Sequence, residues 1–129
     1  MPTLSSFDYA VIRVVPRVER AEFLNAGVLL FCLERDFLRA RIELDEARLL
    51  ALWPGTDVEL VRQHLAAIPR ICAGSPDGGP IAKLTLRERF HWLVAPRSTM
   101  IQVSPVHAGL CESPERTLDE LFQQMVAVP

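Results

Sequence analysis

The sequence predicts an α+β fold: an antiparallel sheet, built from a three-strand N-terminal meander and a short later strand, packed against about four helices. Two observations carry this. Up to Leu44 the chain holds three runs rich in β-branched and aromatic residues, joined by short polar links. Beyond it the period changes. Apolar residues recur three and four apart behind capping residues, with one short apolar run, "MIQV", between two helical stretches. Strands first, then helices, then a strand and a helix suits a sheet with helices packed on it, not an alternating parallel fold.

The elements follow in order. "DYAVIRVVP" gives a strand over about Tyr9 to Val15, stopped by Pro16. "FLNAGVLLFCLE" gives a second, about Asn25 to Leu33, whose continuous apolar character marks a central strand covered on both faces. Gly27 inside it signals a bulge or a close backbone approach. In "FLRARIEL", Leu38, Ala40 and Ile42 alternate with Arg39, Arg41 and Glu43, a half-buried strand with a wet face. Asp45 caps a short helix, "EARLLAL", that ends at Pro54-Gly55. Asp57 caps the next, with Val58, Val61, Leu65 and Ile68 on one face, and Pro69 is expected to end or kink it near Ile68. "AGSPDGGP" is a loop. Thr85 and Glu88 have capping-box spacing ahead of a helix with the stripe Leu86, Phe90, Leu93 and Val94. Ser113-Pro114-Glu115 starts the last helix, which buries Leu118, Leu121, Phe122, Met125 and Val126.

The 129 residues are half apolar, enough for one domain over 1–129 with its own core. The formal charge of -2 speaks against binding to nucleic acid or to an anionic membrane surface. Of 14 basic residues only Lys83 is a lysine, a bias that carries no functional weight. Three cysteines, Cys32, Cys72 and Cys111, make an odd number with no C-x-x-C pair. They are expected to be reduced and free of metal, which points to the cytoplasm. No signal peptide and no membrane-spanning run is visible.

The common catalytic and phosphate-binding motifs do not occur, and no cofactor is expected. The chemistry that remains clusters in "APRSTMIQVSPVHAG", Ala95 to Gly109. Arg97 and Ser98 precede the apolar run; Ser104 and His107 follow it. Ser98, Ser104 or Cys111 would be the nucleophile and His107 the base of a catalytic set, with Asp8, Glu22 or Glu88 to orient it. Every polar chain of this length offers such a set, so turn-forming roles are the preferred reading. His107 and Cys111 have a spacing found in zinc sites, but one pair does not make four ligands. Arg87, His91 and Arg97 form a candidate anion patch. Glu22 and Asn25, beside the start of the central strand, are the candidate acidic and amide partners. Arg97 and His107 are expected to approach each other if the chain folds back after "MIQV".

The pair of stretches "YAVIRVVPRVERAEFLNAGVLLFC" and "RFHWLVAPRSTMIQVSPVHAGLCESPE" resembles the bacterial Domain of Unknown Function 3037 family, over about Tyr9 to Val126. The resemblance implies no activity and no catalytic residue. It implies an accessory role beside HipA-type kinase-like proteins. Two functions are therefore expected in order. The first is a small cytoplasmic accessory or adaptor module that binds another protein, through the wet face around Arg39 and Arg41 or through the C-terminal helix. The second is a small enzyme or sensor for an anionic metabolite or nucleotide, held near Arg97, Ser98, Ser104 and His107 with Glu22 and Asn25 opposite.

Overall fold

Strand β1, Ser5–Val14, is the centre of the sheet, because both of its edges are paired. On one side it meets β2, Leu24–Cys32, which in turn meets β3, Phe37–Ile42. These three antiparallel strands are the expected meander. The other edge of β1 is shared by two short strands. Ile101–Val103, β4, pairs with its C-terminal part, and His107–Cys111, β5, with its N-terminal part. The structure is a computed structural model that describes residues 3–97 and 99–127.

Strand β5 adds a second short later strand where the sequence predicts only one. Its sequence, "HAGLC", has no β-branched residue, and local propensity gives no strand signal. Pairing with β1 makes it a strand. Gly109 lies opposite Phe7, whose ring fills the space where a side chain would stand.

Helices cover both faces of the sheet. On one lie α1, Glu46–Leu52, α2, Val58–Ala73, and α3, Leu86–Val94. Asp45, Asp57 and Thr85 cap them as expected, each accepting a backbone N–H from three residues on. Leu49, Leu65 and Phe90 reach down from these helices to Ile12, Leu29 and Phe31 of the sheet. Helix α4, Pro114–Met125, covers the other face, where Leu118 and Phe122 meet Phe7, Val28, Leu30 and Cys32. Phe122 is almost wholly buried, a contribution of about 2 kcal/mol from its apolar surface.

Which residues of β2 face which layer is decided by one bulge. Ile12 stands opposite Gly27 and Arg13 opposite Asn25, so Ala26 is the extra residue. Leu24 and Ala26 therefore join Leu29 and Phe31 under α1–α3, while Val28, Leu30 and Cys32 face α4. Period-2 alternation lets this almost unbroken apolar run serve two cores, and the bulge shifts the parity in mid-strand.

One further expectation is corrected. Helix α2 does not end at Pro69 but continues to Ala73. The ring sits on the exposed side, and the turn beyond it buries Ile71 and Cys72. That last turn is held from outside the helix: Arg89 Nη1 donates to the carbonyls of Ile71 (2.9 Å) and Cys72 (2.7 Å). The outward face of β3 is as expected, with Arg39 and Glu43 exposed and Arg41 half-buried, and its arginines reach α4. Arg41 donates to Asp119 at 2.8 Å and stacks 4.2 Å above the Phe122 ring, and Arg39 pairs with Glu115 at 3.4 Å.

Candidate functional site

The stretch Ala95 to Gly109 crosses from one layer of the molecule to the other. Val103 pairs with Ile12 and His107 with Tyr9, so after β4 the chain advances along β1 and does not fold back. The partners of Ile101 and His107, Val14 and Tyr9, are about 17 Å apart along β1. His107 stacks beside Tyr9, ring centroids 5.3 Å apart, on the α4 side. Arg97 lies against α3, its guanidinium 4.2 Å above the Trp92 ring and one N–H donated to the Trp92 carbonyl. The structure does not bring Arg97 and His107 together.

The other candidates have local partners. Ser104 is buried; its Oγ accepts from Val11 N at 2.8 Å and donates to the Pro105 carbonyl at 2.9 Å. It closes the sheet edge where the chain passes from β4 towards β5. Glu22 is exposed and paired with Arg20. Asn25 donates from Nδ2 to the Met125 carbonyl at 3.0 Å, which ties the bulge of β2 to the end of α4. Its Oδ1 is buried and has no hydrogen-bond partner among the described residues. Arg87 and His91 are exposed on α3. Ser98 lies outside the described residues.

What the structure does assemble is a cleft of about 460 Å³ between α2, α3 and β4. Ala67, Ile68 and Ile71 form one wall, Trp92 and Leu93 the second, and Met100, Ile101 and Val103 the floor. The polar side chains on it are His64, Arg97, Thr99 and Gln102, with no carboxylate among them. Thr99 Oγ1 donates to the Ile101 carbonyl at 2.8 Å, and Gln102 Nε2 to the Thr99 carbonyl at 2.9 Å, so these two fold the rim onto itself. Arg97 and His64 are the groups left to meet a charged visitor. The volume and the apolar lining with few polar groups are those of a binding site.

Sequence reasoning found Arg97 and missed the walls around it. Ile68 and Leu93 read as core, which they also are. The one signal was Trp92, a large aromatic beside the stripe Phe90 and Leu93 that remains partly exposed.

The cysteines are free and buried. Burial pushes the Cys72 thiol up to about 12, against a smaller opposing pull from Arg89. Burial, then the neighbouring Cys32, also raises Cys111. Neither is a thiolate near neutral pH, so neither is a ready nucleophile. Among the described residues no three His, Cys, Asp or Glu side chains come together to hold a metal ion.

Residues 9–126 match the family described as Protein of unknown function (DUF3037). No curated protein and no solved structure matches the chain.

Proposed function

From the premise that the chain belongs to the DUF3037 family, whose description assigns no activity, we propose that it is an accessory module that binds another protein through the cleft between α2, α3 and β4. The observation that carries this is the cleft itself: an apolar hollow, open to solvent, with a cationic rim and no carboxylate. The alternative, an enzyme or sensor for an anionic metabolite built from Arg97, Ser98, Ser104 and His107, draws no support from the placement of Arg97, Ser104 and His107. Ser104 is engaged in the sheet edge and His107 stands on the other face. A HipA-type kinase-like protein is the partner suggested by the resemblance. A net charge of -2 supports a protein partner over nucleic acid. Free buried thiols support the cytoplasm as the compartment, and no helix among the described residues is long and apolar enough to cross a membrane.

Co-expression with the neighbouring kinase-like protein tests this. Ala67→Trp places an indole in the cleft from the α2 wall. A complex that forms with the parent chain and with a Leu110→Ser control, and is lost with Ala67→Trp, supports the reading. A complex that Ala67→Trp leaves intact places the interface elsewhere and overturns it.

A further inference from the structure

We infer that β4 receives the C-terminal segment of its partner as an added antiparallel strand, with an apolar side chain in the cleft and the terminal carboxylate on Arg97. The inference rests on the protein-binding reading above and names the form the partner takes.

Main-chain geometry comes first. Val15 N donates to the Met100 carbonyl at 2.7 Å, and Ser104 N to the Val11 carbonyl at 2.8 Å. Hydrogen-bonded pairs alternate along an antiparallel ladder. Met100, Gln102 and Ser104 thus turn their backbone groups towards β1, and Ile101 and Val103 turn theirs outward. Among the described residues no strand lies on that side of β4. The Ile101 carbonyl takes Thr99 Oγ1, and the outward N–H groups of Ile101 and Val103 and the Val103 carbonyl face no strand. Such an edge is a template for one more strand.

The cleft reaches that edge. Ile101, Gln102 and Val103 all line it, although consecutive strand residues point to opposite faces. The hollow therefore wraps round the strand to its open side. A strand laid there would send alternate side chains towards Ile68, Ile71 and Leu93.

Charge and direction fix the end of the peptide. Arg97 precedes β4 in the chain, beside the end of β4 at Ile101. An antiparallel neighbour finishes at that end and a parallel one begins there. A terminal carboxylate suits Arg97 and His64, and a terminal ammonium does not. Arg97 is held with its guanidinium carbon 4.2 Å above the Trp92 ring, and its remaining N–H groups, without a hydrogen-bond partner among the described residues, suit a carboxylate fork. Strand β5 presents an exposed Leu110 along the same edge of the sheet, but none of its residues lines the cleft.

The test uses a library of randomised octapeptides displayed with free C-termini, followed by fluorescence anisotropy on the enriched sequences with the full chain. The expected winners carry apolar residues at alternate positions up to the terminus. Amidating the terminus and Arg97→Gln should each weaken binding by about tenfold or more, as should N-methylation of the amides that face β4. Methylating the amides between them should change little. Val103→Pro, which deletes an outward donor and no bond to β1, should weaken binding while a thermal melt confirms the fold. Enriched peptides indifferent to N-methylation would lie in the cleft without joining the sheet, and would overturn strand addition while leaving the protein-binding reading intact. A library with no winner would overturn it too, whereas the broader reading falls only if Ala67→Trp spares the complex.

Discussion

Gly27→Ala isolates a single close approach in the sheet. A Cβ built on Gly27 would lie 2.8 Å from the Arg41 carbonyl oxygen, 2.9 Å from Ile42 Cγ1 and 3.2 Å from Ile12 Cδ1. Gly27 does not have a positive φ, unlike Gly74 and Gly79, so the cost is steric and not conformational. The Ile12 and Ile42 side chains can turn aside. The Arg41 carbonyl cannot, since it belongs to the backbone of β3. Overpacking of this kind costs about 1–3 kcal/mol. Removing a glycine from the unfolded chain returns about 0.4–1 kcal/mol. The net expectation is a loss of about 1–2 kcal/mol, or a fall in melting temperature of roughly 4–10 °C for a domain of this size. Gly27→Val, which adds branches at the same point, should lose more. Urea and thermal unfolding followed by circular dichroism measure both. A Gly27→Ala protein as stable as the parent would refute the close-approach account of this strand.

Ser104→Ala leaves the buried Val11 N–H without its 2.8 Å acceptor and is expected to destabilise by about 1–3 kcal/mol in the same assay; a change confined to binding would return Ser104 to the functional set. The Cys72 thiol, raised from 9.0 to about 12 by burial, stays protonated in the fold but not in the unfolded chain, so its contribution holds below pH 9 and declines as pH rises towards 12. Iodoacetamide at pH 8 should label Cys72 no faster than the chain unfolds, and rapid labelling of folded protein would contradict its burial. The Thr85 hydroxyl, then the Thr85 backbone, lowers the Glu88 carboxyl; this contribution is present above the usual carboxylate range and fades as pH falls through it. Thr85→Ala should cost about 1 kcal/mol at pH 7, of which the part carried by the Glu88 carboxylate fades on acidification while the part from the Glu88 N–H on the Thr85 hydroxyl persists; a difference that is the same at pH 7 and pH 2 would argue against the Glu88 half of the capping box.

The meander and the helix starts were legible because their signals are local. Asp45, Asp57, Thr85 and Ser113 stand where a hydroxyl or carboxylate can reach an N–H three residues on, and all four do so. What escaped was set by distant parts of the chain. "HAGLC" becomes a strand through the edge of β1, Pro69 is carried by the packing beyond it, and the arginines of β3 find their partners on α4. The site followed the same division. Arg97 drew notice as a charge beside an apolar run, while the hollow it guards is the space left between three elements that no periodicity brings together.

The double use of one edge of β1 also sets the order in which the molecule can be made. The bond from Val11 to Ser104 spans 93 positions, and the one from Asn25 to Met125 spans 100. A chain emerging from the ribosome can form the meander early, but β1 then waits with one flank bare until β4 and β5 follow. During that interval its nearest available strands belong to neighbouring nascent chains, and contacts of such long range slow closure. Refolding should therefore be slow for a domain of this size and sensitive to protein concentration, the yield falling as the waiting flanks find each other first.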